Sequence, residues 1–100
     1  MFVNSDKRRL YWLIIEYLNQ HISARTFCDE FYYCYDLAID YDTLTQQEKD
    51  GFSSLSEITG RFSEFENDIR KYPGTYYTEQ QLRQKVTETK EALNAKDFLF

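Results

Sequence analysis

Glycine and proline are scarce. The 100 residues hold three glycines (Gly51, Gly60, Gly74) and one proline, Pro73. An all-β domain needs more turn residues than that, so a helical fold is expected. Histidine occurs once, as His21, and cysteine twice, as Cys28 and Cys34. One imidazole and no CxxC pair leave no pattern for a zinc site. On a helix the two cysteines point about 120° apart, so they cannot bridge each other, and two reduced, packed thiols are expected. No Gly-rich phosphate loop, GxSxG or HExxH occurs. His21 sits at a helix end between Gln20 and Ile22 with no nucleophile matched to it. Neither an enzyme nor a cofactor-binding protein is expected.

Long apolar runs are missing as well. No stretch reaches the roughly 18 residues that a membrane span requires. The basic residues between Met1 and Arg9 are followed only by Tyr11 to Leu18, which is short and is interrupted by Glu16. No signal peptide and a cytoplasmic location are expected.

Positive charge is nearly absent from the middle of the chain. Eleven acidic residues lie between Asp29 and Asp68 (Asp29, Glu30, Asp36, Asp40, Asp42, Glu48, Asp50, Glu57, Glu64, Glu66 and Asp68), against Lys49 and Arg61. The flanks are net basic, and the whole carries −5. An acidic face repels nucleic acid and membrane and attracts a basic partner, so a protein partner is expected.

What is abundant is aromatic: nine Tyr and eight Phe, 18% aromatic residues in a chain that is 42% hydrophobic. That suffices for one core, and one domain over residues 1–100 is expected. Four helical segments are legible. In the first, Ser5 stands as a cap, and Leu10, Leu13, Ile14, Tyr17 and Leu18 form the apolar stripe, widened by Trp12 and Ile15. The second opens on Ser23, with Ile22 and Phe27 placed as a hydrophobic staple. Phe27, Phe31, Cys34 and Ala38 share its face. Thr45 and Glu48 form a capping box for the third. Phe52, Leu55, Ile58, Phe62, Phe65, Ile69 and Tyr72 then step near a 3.5 repeat, which reads as one long helix stopped by Pro73-Gly74. Gly60 is expected to admit a neighbouring helix. Thr78 and Gln81 repeat the capping box before the fourth, whose stripe is Leu82, Val86 and Leu93 with Thr89 between them. Phe98 to Phe100 is expected to fold back onto the bundle or fray. Short connections favour an antiparallel four-helix bundle.

The carboxylate pair Glu64 and Asp68 lies on one helical face, but the inward positions Ile58, Phe62, Phe65 and Ile69 are apolar. A di-metal carboxylate site is therefore not expected. Glu57, Arg61, Glu64 and Asp68 read either as a solvated face or as a docking surface, with Tyr72, Tyr76 and Tyr77 following as aromatic anchors. Of Tyr32 and Tyr33, at least one should reach the surface.

Ile22-Ser23-Ala24-x-x-Phe27-x-x-x-Phe31 resembles the opening of helix two in the colicin D-type, self-protective colicin-like immunity family, also used in contact-dependent growth inhibition. Leu44 to Asp50, Arg61-Phe62 with the acids after it, and Leu82-Arg83-Gln84-Lys85-Val86 extend the resemblance over roughly residues 10 to 95. The resemblance implies an all-α four-helix bundle that binds a cognate toxin nuclease, often one acting on transfer RNA, and blocks its active site. Carboxylates would then stand in for the phosphates held by the nuclease's Lys and Arg. By position on the family pattern, Glu64, Glu66 and Asp68 are the contact candidates. Glu57 joins them by helical face, and Asp36, Asp42 and Tyr72 form a second set. The free protein is expected to be a monomer or weak dimer. The competing reading is a helical adaptor that docks through an apolar groove.

Overall fold

A computed structural model describes residues 2–99. Apart from an isolated bridge, the regular structure of its described residues is all helical: α1 (Arg8–Leu18), α2 (Ala24–Tyr35), α3 (Gln46–Thr59), α4 (Glu66–Lys71) and α5 (Glu79–Ala92), with 3-10 turns at Tyr41–Thr43 and Ala95–Phe98. No helix among them is long and apolar enough to cross a membrane. In the principal helix interfaces α1 packs on α2 and α5, and α3 packs on the same two, so the four longer helices close a ring.

The ring encloses one cluster of buried side chains, from Leu10 through Phe27, Phe31, Phe52 and Leu55 to Leu82, Val86 and Leu93. Aromatic edges knit it together: Tyr17 stacks on Phe27 at 5.0 Å, and Phe52 meets Tyr11 at 5.5 Å and Phe31 at 6.3 Å between ring centres. Each such side chain contributes about 1.5–3 kcal/mol by leaving water, and edge contacts add to that. Cys28 and Cys34 are buried free thiols.

The caps follow the sequence closely. Ser23 accepts the Thr26 N–H, and both capping boxes close, Thr45 with Glu48 and Thr78 with Gln81. Ser5 does not cap α1. A turn that returns the Asp6 N–H to the Val3 carbonyl moves the start to Arg8, whose N–H is taken by the Asp6 carboxylate at 2.9 Å. The C-terminus of α1 closes as a Schellman motif: the N–H of Gln20 bonds the carbonyl of Tyr17 at 3.0 Å, and that of His21 bonds Glu16 at 2.9 Å. Gln20 holds the required left-handed turn at φ 62°, where glycine is usual.

The long third helix of the sequence reading is two helices. α3 ends at Gly60, and residues 61–63 run extended beside Tyr77: Arg61 accepts its N–H at 2.8 Å, and Ser63 donates to its carbonyl at 3.1 Å. Pairing with Tyr77 satisfies backbone groups that a continuing helix would have satisfied internally. Ser63 then takes the Phe65 N–H at 3.1 Å and donates to Asp68 at 2.8 Å, which starts α4. The apolar stripe therefore splits. Phe52 and Leu55 are fully buried, whereas Phe65 and Tyr72 are 58% and 47% exposed.

Gly60 meets only its own helix, the Ser56 carbonyl, where a Cβ would be built. The close approach of helices is at Gly51 instead, whose missing Cβ faces Thr89 on α5 at 3.7 Å and Leu93, the residue capping that helix, at 3.6 Å. Tyr72-Pro73-Gly74-Thr75 is a tight turn closed by the Thr75 N–H at 3.1 Å, with Gly74 at φ 83°. Phe98 folds back, edge-on to Tyr11 at 4.9 Å; Leu99 is exposed, and Phe100 lies outside the described residues.

Candidate functional site

The acids that crowd the middle of the sequence separate in space into three kinds. Glu48 is internal. Its side chain is 4% exposed and receives the Thr45 N–H at 2.8 Å, Lys7 Nζ at 3.1 Å and the Tyr11 hydroxyl. Burial pushes its carboxyl up, but those three donors outweigh burial and hold it below its usual range. Burial and the neighbouring Glu48 carboxylate push the Tyr11 hydroxyl strongly upward. Glu48 therefore adds nothing to an outer surface.

A second kind is held in local pairs. Glu30 meets Arg9 at 3.0 Å, Glu64 meets Arg25 at 3.2 Å, and Glu66 meets Arg70 at 2.6 Å. Asp68, half-buried, accepts from Ser63; Asp40 takes the Asp42 N–H at 2.9 Å; and Asp50 takes an amide N–H of Gln46 at 2.9 Å.

The third kind, Asp29, Asp36, Asp42 and Glu57, has neither an ion pair nor a side-chain hydrogen bond within its own segment among the described residues; Asp40, Asp50 and Asp68 lack a cation too but are held by neutral donors close in sequence. The one side-chain partner of Asp36 is the Ser56 hydroxyl, at 3.4 Å. Three of the four border two adjoining depressions. One, of about 380 Å³, runs between α2 and the end of α3, with Asp29, Tyr32, Tyr33 and Asp36 along one wall and Ser56, Gly60 and Phe62 along the other. The next, of about 390 Å³, holds Glu57 and Arg61 and shares Ser56 and Gly60 with the first. Tyr32 and Tyr33 are 48% and 47% exposed, and their rings meet edge-to-face at 5.9 Å. Cys28 forms part of the floor, where burial first, and Asp29 beside it, push its thiol up to about 12. It is an inert packing group there.

The residues predicted from sequence are thus spread over several elements. Glu57 lies on α3, Glu64 on the extended link, Glu66 and Asp68 on α4, and Tyr72 at its end. Asp36 caps α2 at its C-terminus, and Asp42 lies in the 3-10 turn. Glu57 and Asp36 come together across Ser56. Glu64 joins them at the Arg25 end of the groove, while Glu66, Asp68 and Tyr72 belong to the α4 excursion. Asp29 was not singled out, although its spacing to Tyr32, Tyr33 and Asp36 is one face of a helix. No group of His, Cys, Asp and Glu among the described residues is arranged to hold a metal ion.

The family model for bacterial self-protective colicin-like immunity matches residues 9–93. No curated protein and no solved structure matches the chain. With that match covering most of its length, the chain belongs to the bacterial self-protective colicin-like immunity family, whose members neutralise toxins without catalysing a reaction.

Proposed function

We propose that this protein neutralises a cognate toxin whose toxic domain is a basic nuclease, one acting on transfer RNA, by laying an acidic surface over the nuclease active site. A nuclease must hold phosphates with Lys and Arg, and a carboxylate surface competes for those same cations. The observation that carries the reading is the set of exposed acids without cationic partners beside exposed tyrosines, in a chain whose family neutralises toxins. Glu57, the one of the four without an internal partner among the described residues, leads the proposed contact; Glu64, Glu66 and Asp68 join it by exchanging internal partners for toxin cations, and Asp36, Asp42 and Tyr72 extend it. The ring of four helices is taken as an antiparallel up-and-down bundle that presents this surface rigidly. The inhibitor acts in the cytoplasm as a 1:1 partner and is a monomer or weak dimer when free.

The experiment expresses the C-terminal region of the protein encoded immediately upstream, alone and with the chain; a neighbour that is not toxic overturns the reading. Restored growth and a 1:1 complex whose association slows with added salt support the reading. A toxic neighbour that is neither bound nor rescued overturns it. Binding that is indifferent to salt and centred on apolar residues would favour the adaptor reading instead. Within a complex, Glu57→Lys with Glu64→Lys should weaken affinity at least ~10-fold while the unfolding midpoint stays within a few degrees. Unchanged affinity would remove these two acids from the contact. Asp68 is left out of that variant because it latches Ser63 and the start of α4.

A further inference from the structure

The α2–α3 groove has features that a general acidic surface does not require. Asp36 caps α2 at its C-terminus, where the helix dipole already places negative charge and a cation would be favoured. No basic residue lies in the last turn of α2. Asp29, two turns earlier on the same helical face, likewise has no cationic partner among the described residues. Stability alone does not account for two acids so placed, and local rules are most often broken where function requires it.

Between the acids stand the two exposed tyrosine rings, in a groove of about 380 Å³. Of the cations nearby, Arg25 at one end is already bound to Glu64, at 3.2 and 3.3 Å. Arg61 lies in the adjoining depression, on the side of Glu57 and Tyr77. A slot with carboxylates at both ends of an aromatic wall suits a planar cation. Its N–H groups can reach the acids while its face lies on a ring.

We propose that this groove is an anchor pocket for a single arginine side chain of the toxin, inserted between Asp29 and Asp36 and against Tyr32 and Tyr33. The inference rests on the inhibitor reading given above and adds where one toxin side chain enters. Buried aromatic and arginine anchors dominate the energetics of protein interfaces, and a desolvated guanidinium–carboxylate contact fixes register.

The test uses the intact chain and the toxic domain encoded beside it. Three variants are compared with the wild type by calorimetry or surface binding: Asp29→Asn with Asp36→Asn, Tyr32→Ala with Tyr33→Ala, and Ser56→Phe. The last fills the groove and leaves every charge in place. Each should weaken affinity at least ~30-fold, as loss of an anchor does. An arginine-to-alanine scan of the toxin domain should then find one position whose loss is not additive with Asp29→Asn. Melting curves accompany each variant; Asp29, Tyr32, Tyr33 and Asp36 are exposed and Ser56 is half-buried, so the fold survives their substitution. If the wild type fails to bind, the inhibitor reading itself falls. If the wild type binds and the folded Asn and Ser56→Phe variants bind equally well, the toxin does not enter the groove and this inference is overturned.

Discussion

Replacing Glu48 by alanine should destabilise the fold by about 3 kcal/mol while leaving toxin affinity unchanged within about twofold. The first figure is built from the three donors that lose their acceptor. The Tyr11 hydroxyl is the costliest, because its ring is buried and its other partner, Asp97, stands at 3.5 Å, too far to replace the bond. A buried donor left unsatisfied costs about 1–3 kcal/mol. Losing half of the Thr45–Glu48 capping box adds about 0.5–1 kcal/mol. Lys7 contributes only a few tenths, since its side chain is 36% exposed and water replaces its partner. A loss of about 3 kcal/mol lowers the melting temperature of a chain this size by roughly 12–24 °C. Circular dichroism during heating and urea titration read both quantities. The carboxyl of folded Glu48 titrates below its unfolded value of 4.5, so its stabilisation is complete above that pH and is lost as pH falls through the folded value. The gap between wild type and Glu48→Ala should therefore narrow in acid. The double variant with Tyr11→Phe should show a coupling of about 1–2 kcal/mol. A Glu48→Ala protein that loses less than about 1 kcal/mol would refute the reasoning, and one that keeps its fold but loses toxin affinity would place Glu48 in the interface.

Two further outcomes follow from local geometry. Gln20→Gly should raise stability by about 1 kcal/mol, because glycine adopts the left-handed turn at φ 62° without the Cβ penalty; a lower melting temperature would show that the Gln20 side chain matters more than its backbone. Burial pushes the Cys28 and Cys34 thiols up to about 12 and about 11, so at pH 8 both should react with a thiol reagent far more slowly than an exposed cysteine. Rapid labelling of either in the native state would overturn that placement.

The caps and the buried stripes were legible because they are local. Ser23, Thr45 and Thr78 bond to backbone three residues away, and α1, α2 and α5 each bury a face that recurs at helical spacing. The break at Gly60 was not legible for the opposite reason. Phe62, Phe65, Ile69 and Tyr72 keep helical spacing past it, and what ends α3 is the pairing of Arg61 and Ser63 with Tyr77, a contact of long sequence separation. Periodicity records which residues are apolar, not which backbone groups have found partners elsewhere. Gly51 and Gly60 were indistinguishable in sequence, because only the position of α5 shows which of them a neighbour approaches.

The acidic stretch carries the same lesson for function. Charge counted along the sequence treats Glu48, Glu30, Glu66 and Asp36 alike, yet a partner meets only charge that the fold has not already neutralised. Glu48 is enclosed by its donors, Glu30 is tied to Arg9, and Glu66 is tied to Arg70. To use a paired acid, a toxin cation must displace the internal one, and the two exposed interactions nearly cancel. A free acid offers the whole of its attraction, more so where neighbouring surface keeps water away. The free acids are few, and Asp29, Asp36 and Glu57 converge on depressions that share Ser56 and Gly60. Substitutions at these three should therefore change toxin affinity more than substitutions at Glu30 or Glu66, although all five residues carry the same charge. Equal effects at all five would mean that the toxin responds to net charge alone.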